Sequence, residues 1–207
     1  MFGYIVKGGI LMIPIILCGL AAVFIIVERL FYFYVTKKRD AKLMFDLKTS
    51  LFKNDFEEAV AATKEADTPC AKVIQKAIEC RKWNEKDLKD MIETEMDNAV
   101  PEYEHFLTPL GTISNISTLL GLLGTVTGNI KAFNVLGSAG SMGDPQALAG
   151  AIGEALITTV AGLIVSIPAV IFYNYFNSRV TRRLSQMEKN VTSVLIKLSG
   201  RESKYEI

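Results

Sequence analysis

Residues 145–178 read PQALAGAIGEALITTVAGLIVSIPAVIFYNYFNS, and Glu154 is the single charged side chain among them. Two threonines, Thr158 and Thr159, follow the glutamate within the next turn or so of a helix. A carboxylate in the hydrocarbon core of a bilayer costs several kcal/mol, so such a group usually faces water, a partner or an ion path. The stretch therefore predicts a membrane helix that carries a polar function.

Two further parts of the chain, residues 8–27 and 106–130, contain no charge, and residues 155–178 after Glu154 contain none either. A helix needs about 20 apolar residues to cross a hydrocarbon core of about 30 Å. The chain of 207 residues is 50% hydrophobic and 22% charged, and the two kinds of residue are segregated along it. The predicted fold class is an all-α membrane protein with three transmembrane helices, long cytoplasmic helical extensions and a small helical cytoplasmic domain.

The distribution of lysine and arginine predicts the orientation. Basic residues crowd the exits of the first and third spans: Lys37, Lys38, Arg39 and Lys42, then Arg179, Arg182, Arg183 and Lys189. The opposite side has only Lys7 and Lys131. Because cytoplasmic loops carry the excess of basic residues, the N-terminus is predicted outside and the C-terminus inside. The predicted divisions are 1–35 (outer N-terminus and first span), 36–104 (cytoplasmic helical domain), 105–131 (second span), 132–144 (outer loop), 145–178 (third span) and 179–207 (cytoplasmic helical tail).

Helix signals fill the predicted cytoplasmic part. Asn54-Asp55 can cap one helix and Thr68 caps the next, with Pro69 after it, and Asn84 with Asp87 resembles a capping box. After the third span an apolar seam continues at 4-3-4-3-4 spacing through Val180, Leu184, Met187, Val191, Val194 and Leu198. The seam indicates either oligomerisation or packing on the chain's own helices.

Two prolines fall on the approach to the second span. The helix that starts near Asn84 shows no strong stop before the outer loop, so Pro101 and Pro109 are expected to bend it rather than end it.

Small and hydroxyl side chains form one stripe on each of the last two spans. At about 100° per residue, each set shares one helix face. On the second span the stripe is Ser114, Thr118, Gly121, Thr125 and Gly128; on the third it is Ala155, Thr159, Gly162, Ser166, Ala169 and Tyr173. Such stripes serve close helix packing or line a wet path, and spacing alone favours packing.

The expected depth of two threonines in the membrane favours a water-lined path. Thr125 lies six residues before Lys131 on a span that runs outward, and Thr159 lies five residues after Glu154 on a span that runs inward. Both threonines are therefore expected at similar heights in the outer half of the bilayer, just below the carboxylate. The residues predicted to line the ion pathway are Glu154, Thr125, Thr159, Ser114, Thr118, Thr158 and Ser166. Those predicted to pack helices or face a partner are Gly121, Gly128, Gly162, Ala155, Ala169 and Tyr173.

A proton relay also needs a titratable group near the middle of the membrane, and hydroxyls cannot supply one because their pKa is far above neutrality. If protons cross here, a second protein must bring a carboxylate. The three cysteines form no motif and the single histidine is His105, so the sequence predicts no metal, no cofactor and no enzyme. The formal net charge of +1 gives no indication of nucleic-acid binding.

The sequence resembles the ExbB/TolQ/MotA family of proton-channel subunits, and ExbB or TolQ more than MotA. The resemblance is strongest over residues 119–126 (LLGLLGTV), 154–163 (EALITTVAGL), 167–169 (IPA) and 173–175 (YNY). It implies five subunits in the bacterial inner membrane around the single membrane helices of two ExbD- or TolR-like partners that carry the proton-binding aspartate. It also implies that proton-motive force is converted into work on the envelope through a TonB- or TolA-like protein. By position, Glu154, Thr125 and Thr159 match the family's polar pore residues.

The residues themselves leave an alternative open. In a non-conducting oligomeric membrane scaffold, the stripes would serve only packing and Glu154 would be an interfacial carboxylate. The choice between ExbB and TolQ, and between proton and sodium, also stays open at this point.

Overall fold

The computed structural model describes residues 8–53, 55–138 and 144–198. Over these ranges the chain is helical and contains no strand. The helices are α1 (Met12–Phe52), α2 (Phe56–Ala66), α3 (Pro69–Glu79), α4 (Glu85–Glu104), α5 (Leu107–Ser138) and α6 (Pro145–Leu198). Three stretches are long and apolar enough to cross a membrane: Met12–Phe52, Glu85–Gly137 (α4 followed by α5) and Pro145–Lys197. The predicted all-α class with three spans is confirmed.

The chain divides into two compact units. The first, which we call the apolar unit, contains residues 8–28 together with Phe106–Phe176; the second, the charged unit, contains Arg29–His105 and the described residues from Asn177 onward. The apolar unit thus collects the three uncharged stretches. Only 22% of the most apolar window of the first span, and 28% of that of each of the others, is buried within the chain. Most side chains of the spans are therefore turned outward, where lipid or other chains can cover them.

The predicted helix starts in the charged unit are present. Asp55 caps α2 by accepting a hydrogen bond from the Glu58 amide, and Thr68 caps α3 by accepting one from the Ala71 amide. Asn84 occupies the N-cap position of α4, but its side chain makes no capping hydrogen bond. The two caps that form each satisfy an amide that lacks a partner within its own helix.

The expectation of one continuous helix through both prolines is wrong at Pro109. α4 ends at Glu104, Phe106 adopts a positive φ of 63°, and α5 begins at Leu107. In an unbroken helix Pro109 would clash with the carbonyl four residues earlier and leave it without a donor. In the first turn of a new helix the missing N–H costs nothing. Pro101 lies inside α4 as expected.

The apolar seam of α6 packs inside the charged unit of the same chain. Val180, Met187, Val191 and Val194 are each no more than 4% exposed. The predicted packing on the chain's own helices is therefore what this single chain shows. The side chain of Leu198, the last member of the seam, lies outside the described residues.

A buried polar contact ties α1, α3 and α6 together within the charged unit. Asp40 on α1 accepts a hydrogen bond of 2.6 Å from the Thr68 hydroxyl at the start of α3. Arg183 on α6 places a guanidinium nitrogen 4.0 Å from the same carboxylate and donates to the Phe33 carbonyl oxygen at 3.4 Å. A buried carboxylate needs such partners, because an unpaired one would be strongly destabilising.

Cys70 lies next to this contact and its reactivity provides a test of the packing. Burial, and after it the negative charge of Asp40, raises the pKa of the Cys70 thiol to about 12. Thiolate is the reactive form, so Cys70 should stay unmodified by a maleimide at roughly pH 8, whereas the half-exposed Cys80 should react. Mass spectrometry of the labelled full-length protein checks this, and both thiols should react after denaturation. Equal labelling rates for the two cysteines in the folded protein would contradict the packing.

Candidate functional site

α5 and α6 pack closely in the apolar unit through small residues. A Cβ built on Gly121 would lie 3.3 Å from the Thr159 Cα, and one built on Gly162 would lie 3.0 Å from the Gly121 Cα. Further along α5, Gly128 packs against Ala155. Because residue numbers rise on α5 as they fall on α6, the two helices are antiparallel. Backbones that approach this closely tolerate no side chain between them.

One end of this helix contact holds a hydroxyl cluster. The Thr118 hydroxyl donates to the Ser166 hydroxyl oxygen at 2.7 Å, and the Ser114 hydroxyl lies 3.3 Å from the Ser166 carbonyl oxygen. The Ser114 and Ser166 hydroxyl oxygens are 3.4 Å apart. Ser114 and Ser166 are buried. Thr118 is an exposed residue whose hydroxyl takes part in the cluster. These three predicted pathway residues therefore hydrogen bond to one another within a single chain.

The two threonines that the sequence placed at similar depth both lie near the contact. The Thr159 hydroxyl lies 2.8 Å from the Gly121 carbonyl oxygen on α5 and 3.1 Å from that of Ala155 on its own helix. The Thr125 hydroxyl donates to the Leu122 carbonyl oxygen at 2.6 Å, within its own helix. Since Thr125 is one turn along α5 from Gly121, the two threonines lie within about 5.4 Å in height. Both are half-buried.

Near the other end of the contact, the Glu154 carboxylate contacts Lys131 and Gly9. The carboxylate accepts a hydrogen bond and ion pair of 2.6 Å from the Lys131 ammonium, which α5 provides. The same carboxylate oxygen lies directly against Gly9, whose φ of +68° favours glycine. The Thr158 hydroxyl, which is buried, lies 2.8 Å from the carbonyl oxygens of both Gly8 and Glu154. The chain segment before α1 is thereby fixed beside the glutamate.

The remaining predicted packing residues, Ala169 and Tyr173, lie further along α6 in the direction of its C-terminus. Ala169 is fully buried. The ring of Tyr173 covers Gly111 on α5, where a Cβ would meet it at 3.1 Å. The contact of α5 with α6 thus extends as far as Gly111 and Tyr173.

Three residues of the site carried no functional prediction. Ser117 is fully buried and its hydroxyl has no hydrogen-bond partner; its i+3 relation to Ser114 is the signal that could have placed it on the same helix face. In the sequence Lys131 indicates only the orientation of the chain and the depth of Thr125, and Gly9 is only part of the first apolar run. No sequence spacing links residues 9, 131 and 154, because their proximity depends on how the helices pack.

The described residues 8–53, 55–138 and 144–198 contain no group of three or more His, Cys, Asp or Glu side chains placed to hold a metal ion. The polar groups of the site are hydroxyls, one carboxylate and one ammonium. Such a set can order water and attract or release cations between membrane helices. Together with three apolar helices it defines a multi-pass helical membrane protein with a polar helix contact.

Comparison with known proteins identifies the class further. Residues 65–189 match the model of the MotA/TolQ/ExbB proton channel family, and the chain belongs to this family. It is 30% identical over 190 residues to the ExbB-like protein 3 of Synechocystis sp., covering 90% of each chain. It is 32% identical over 176 residues to the biopolymer transport protein ExbB of Neisseria gonorrhoeae, covering 78% of each. A shorter match to ExbB of Xanthomonas campestris pv. campestris is 45% identical over 71 residues, which is 34% of this chain and 28% of that one. The family is one of proton channels and not a known class of enzyme.

Gly162→Ala tests the closeness of α5 and α6. The added Cβ would lie 2.5 Å from the Ser117 carbonyl oxygen, which is backbone and cannot rotate away. Overpacking of this kind costs about 1–3 kcal/mol, so the detergent-solubilised protein should unfold at a lower temperature. Gly153→Ala is the matched control, because its Cβ would meet nothing within 4 Å beyond its own helix. That variant should be neutral or more stable, since alanine is the better helix former.

Proposed function

We propose that this chain is the pore-forming subunit of a proton-driven motor complex in the bacterial inner membrane. Together with an ExbD/TolR-like partner, the complex converts proton-motive force into mechanical work on the cell envelope, in TonB-dependent transport or in the Tol–Pal system. The N-terminus is periplasmic and the C-terminus cytoplasmic. Membership of the proton channel family supports the first part of the proposal. The pathway, the orientation and the need for a partner are argued from the residues, whereas the kind of partner and the envelope systems come from the family resemblance.

The observation that carries the proposal is the placement of Glu154, Thr125 and Thr159. All three lie in the apolar unit on facing helices, and each keeps part of its surface outside the chain's own packing. A carboxylate in a membrane span favours water or another polar group on its open side, and the hydroxyl oxygens of the two threonines keep lone pairs that can accept a hydrogen bond from that water. Several copies of the chain around an axis would supply a hydrated path lined by these groups.

The other hydroxyls have a different role in this proposal. Ser114, Ser166 and Thr158 are buried between helices of one chain, so they stabilise the subunit that presents the path. Thr118 joins their cluster through its hydroxyl. The pathway is thus narrowed from the seven predicted residues to Glu154, Thr125 and Thr159.

The need for a partner protein follows from the absence of acidic and basic side chains in the spans. Residues 8–27, 106–130 and 155–178 contain no acid and no base. A proton that passes below Glu154 therefore meets no carboxylate, histidine, lysine or arginine of the spans, and hydroxyls cannot replace such a group because their pKa is far above neutrality. A single-span partner with an aspartate inside the path completes the relay. The subunit count of five around two such partners comes from the family resemblance.

A second candidate, the non-conducting oligomeric scaffold, is favoured by one specific observation. The cluster of Ser114, Thr118 and Ser166 uses its hydroxyls on contacts inside the chain. If Thr125 and Thr159 serve in the same way once other subunits are present, the stripes stabilise packing only. The two functions differ in what happens when a hydroxyl is replaced by a methyl group.

Purification of the native complex tests the composition. The full-length chain, tagged and cross-linked in the membranes of its own cell before solubilisation, should bring down a small protein with one span and an aspartate at its cytoplasmic end. The mass of the intact complex gives the number of each subunit. An assembly that contains this chain alone would contradict the motor proposal and favour the scaffold.

Thr159→Val and Glu154→Ala test the path itself. Both variants should assemble as the wild type does, while proton flux into liposomes that contain the purified complex, followed with a pH-sensitive dye, falls toward that of protein-free liposomes. Thr159→Val also removes an interhelical hydrogen bond worth about 0.5–1.5 kcal/mol. Ser166→Ala is the matched control, since it loses the same kind of bond in the buried cluster and should keep its flux. Proton flux at the wild-type level in both pathway variants would contradict the proposal.

A further inference from the structure

Lys131 is the one basic side chain among the described residues of the apolar unit. The other charged residues there are Glu28, Asp144 and Glu154. The Lys131 ammonium lies 2.6 Å from the Glu154 carboxylate. Its position near the end of α5 and that of Glu154 in the first turns of α6 bring the two side chains together as a direct result of the antiparallel packing.

The two side chains of the ion pair differ in exposure: the lysine is largely exposed and the glutamate is mostly buried. The Lys131 side chain is 55% exposed and the Glu154 side chain 27%. Gly9 covers one carboxylate oxygen, and Thr158 fixes the adjoining backbone of Gly8 and Glu154. The carboxylate is therefore held in place, while the flexible lysine can leave it without disturbing the backbone.

We infer that Lys131 is a tethered counter-ion of Glu154 that makes the path selective for protons over alkali cations; the inference rests on the proposed function. A sodium ion must exchange its hydration shell for protein oxygens, and the carboxylate is the strongest such ligand that the spans offer. The Lys131 ammonium already occupies this carboxylate, so a sodium ion would have to displace it. A proton needs no such shell, because it passes along hydrogen-bonded water.

The same pair controls the charge of the entrance. With Lys131 in place each chain contributes a neutral pair, whereas without it each would contribute one uncompensated negative charge. Several copies would then form an entrance of one sign. Clefts of this kind raise the local concentration of cations by about 10- to 1000-fold. Lys131 thus sets the specificity of the entrance without taking part in proton transfer.

The first experiment asks whether the pair exists in the assembled protein. A zero-length carbodiimide activates a carboxylate, an adjacent lysine amine displaces the activating group, and the two side chains become joined by an amide with loss of one water. Applied to the native complex in its membrane, it should join Lys131 to Glu154, as read by peptide mass spectrometry. Lys131→Arg keeps the charge but has no amine to couple, so the cross-link should be lost. No cross-link in the wild type would overturn the inference.

The second experiment measures selectivity in liposomes that contain the purified complex. Lys131→Gln should raise the ratio of radioactive sodium uptake to proton uptake by about tenfold over that of the wild type. Lys131→Arg should behave as the wild type in both measurements, which also shows that the position tolerates substitution. An unchanged ratio in Lys131→Gln, beside a wild-type complex that carries protons, overturns the inference and leaves the proposed function standing. A wild-type complex that forms the cross-link but carries no protons overturns the proposed function and the selectivity role with it.

Discussion

The close approach of Gly121 and Gly162 is the constraint on which the polar arrangement depends. Lipid offers no hydrophobic drive for helices to associate, so small residues and interhelical hydrogen bonds must hold them. At this separation the Thr159 hydroxyl reaches the Gly121 carbonyl oxygen, and Ser114 reaches Ser166. A larger side chain at either glycine would push the helices apart and remove those bonds together.

Polar groups are graded along that contact. Buried hydroxyls that satisfy one another lie at one end, and a carboxylate paired with an ammonium lies at the other, with half-buried threonines between them. A membrane protein has no solvent in which to leave such groups unpaired. Apart from the buried Ser117 hydroxyl, which has no hydrogen-bond partner, each one is therefore either used in packing or placed where water or another subunit can reach it. The packed polar groups stabilise the chain, whereas those that water can reach are available to contact an ion.

The charged unit uses its polar residues differently. Asp40, Thr68 and Arg183 come from three helices and meet in a buried contact. Replacement of such a contact by apolar groups is often harmless, but removal of one partner alone is not, because it leaves a buried charge uncompensated. The contact fixes the register of α1, α3 and α6, and the apolar seam of α6 supplies the surrounding packing.

The sequence alone determined the helical class, the three spans, the caps at Asp55 and Thr68 and the helix faces that carry small residues. These features depend on composition and on spacing within one segment, which a linear chain shows directly. Only the tertiary structure decided that α4 ends before Phe106, that Ser114 and Ser166 satisfy each other, and that Lys131 pairs with Glu154. Those outcomes depend on which segments meet and at what height, and the register of two antiparallel helices is set by side-chain volumes at their contact and not by any spacing along the chain.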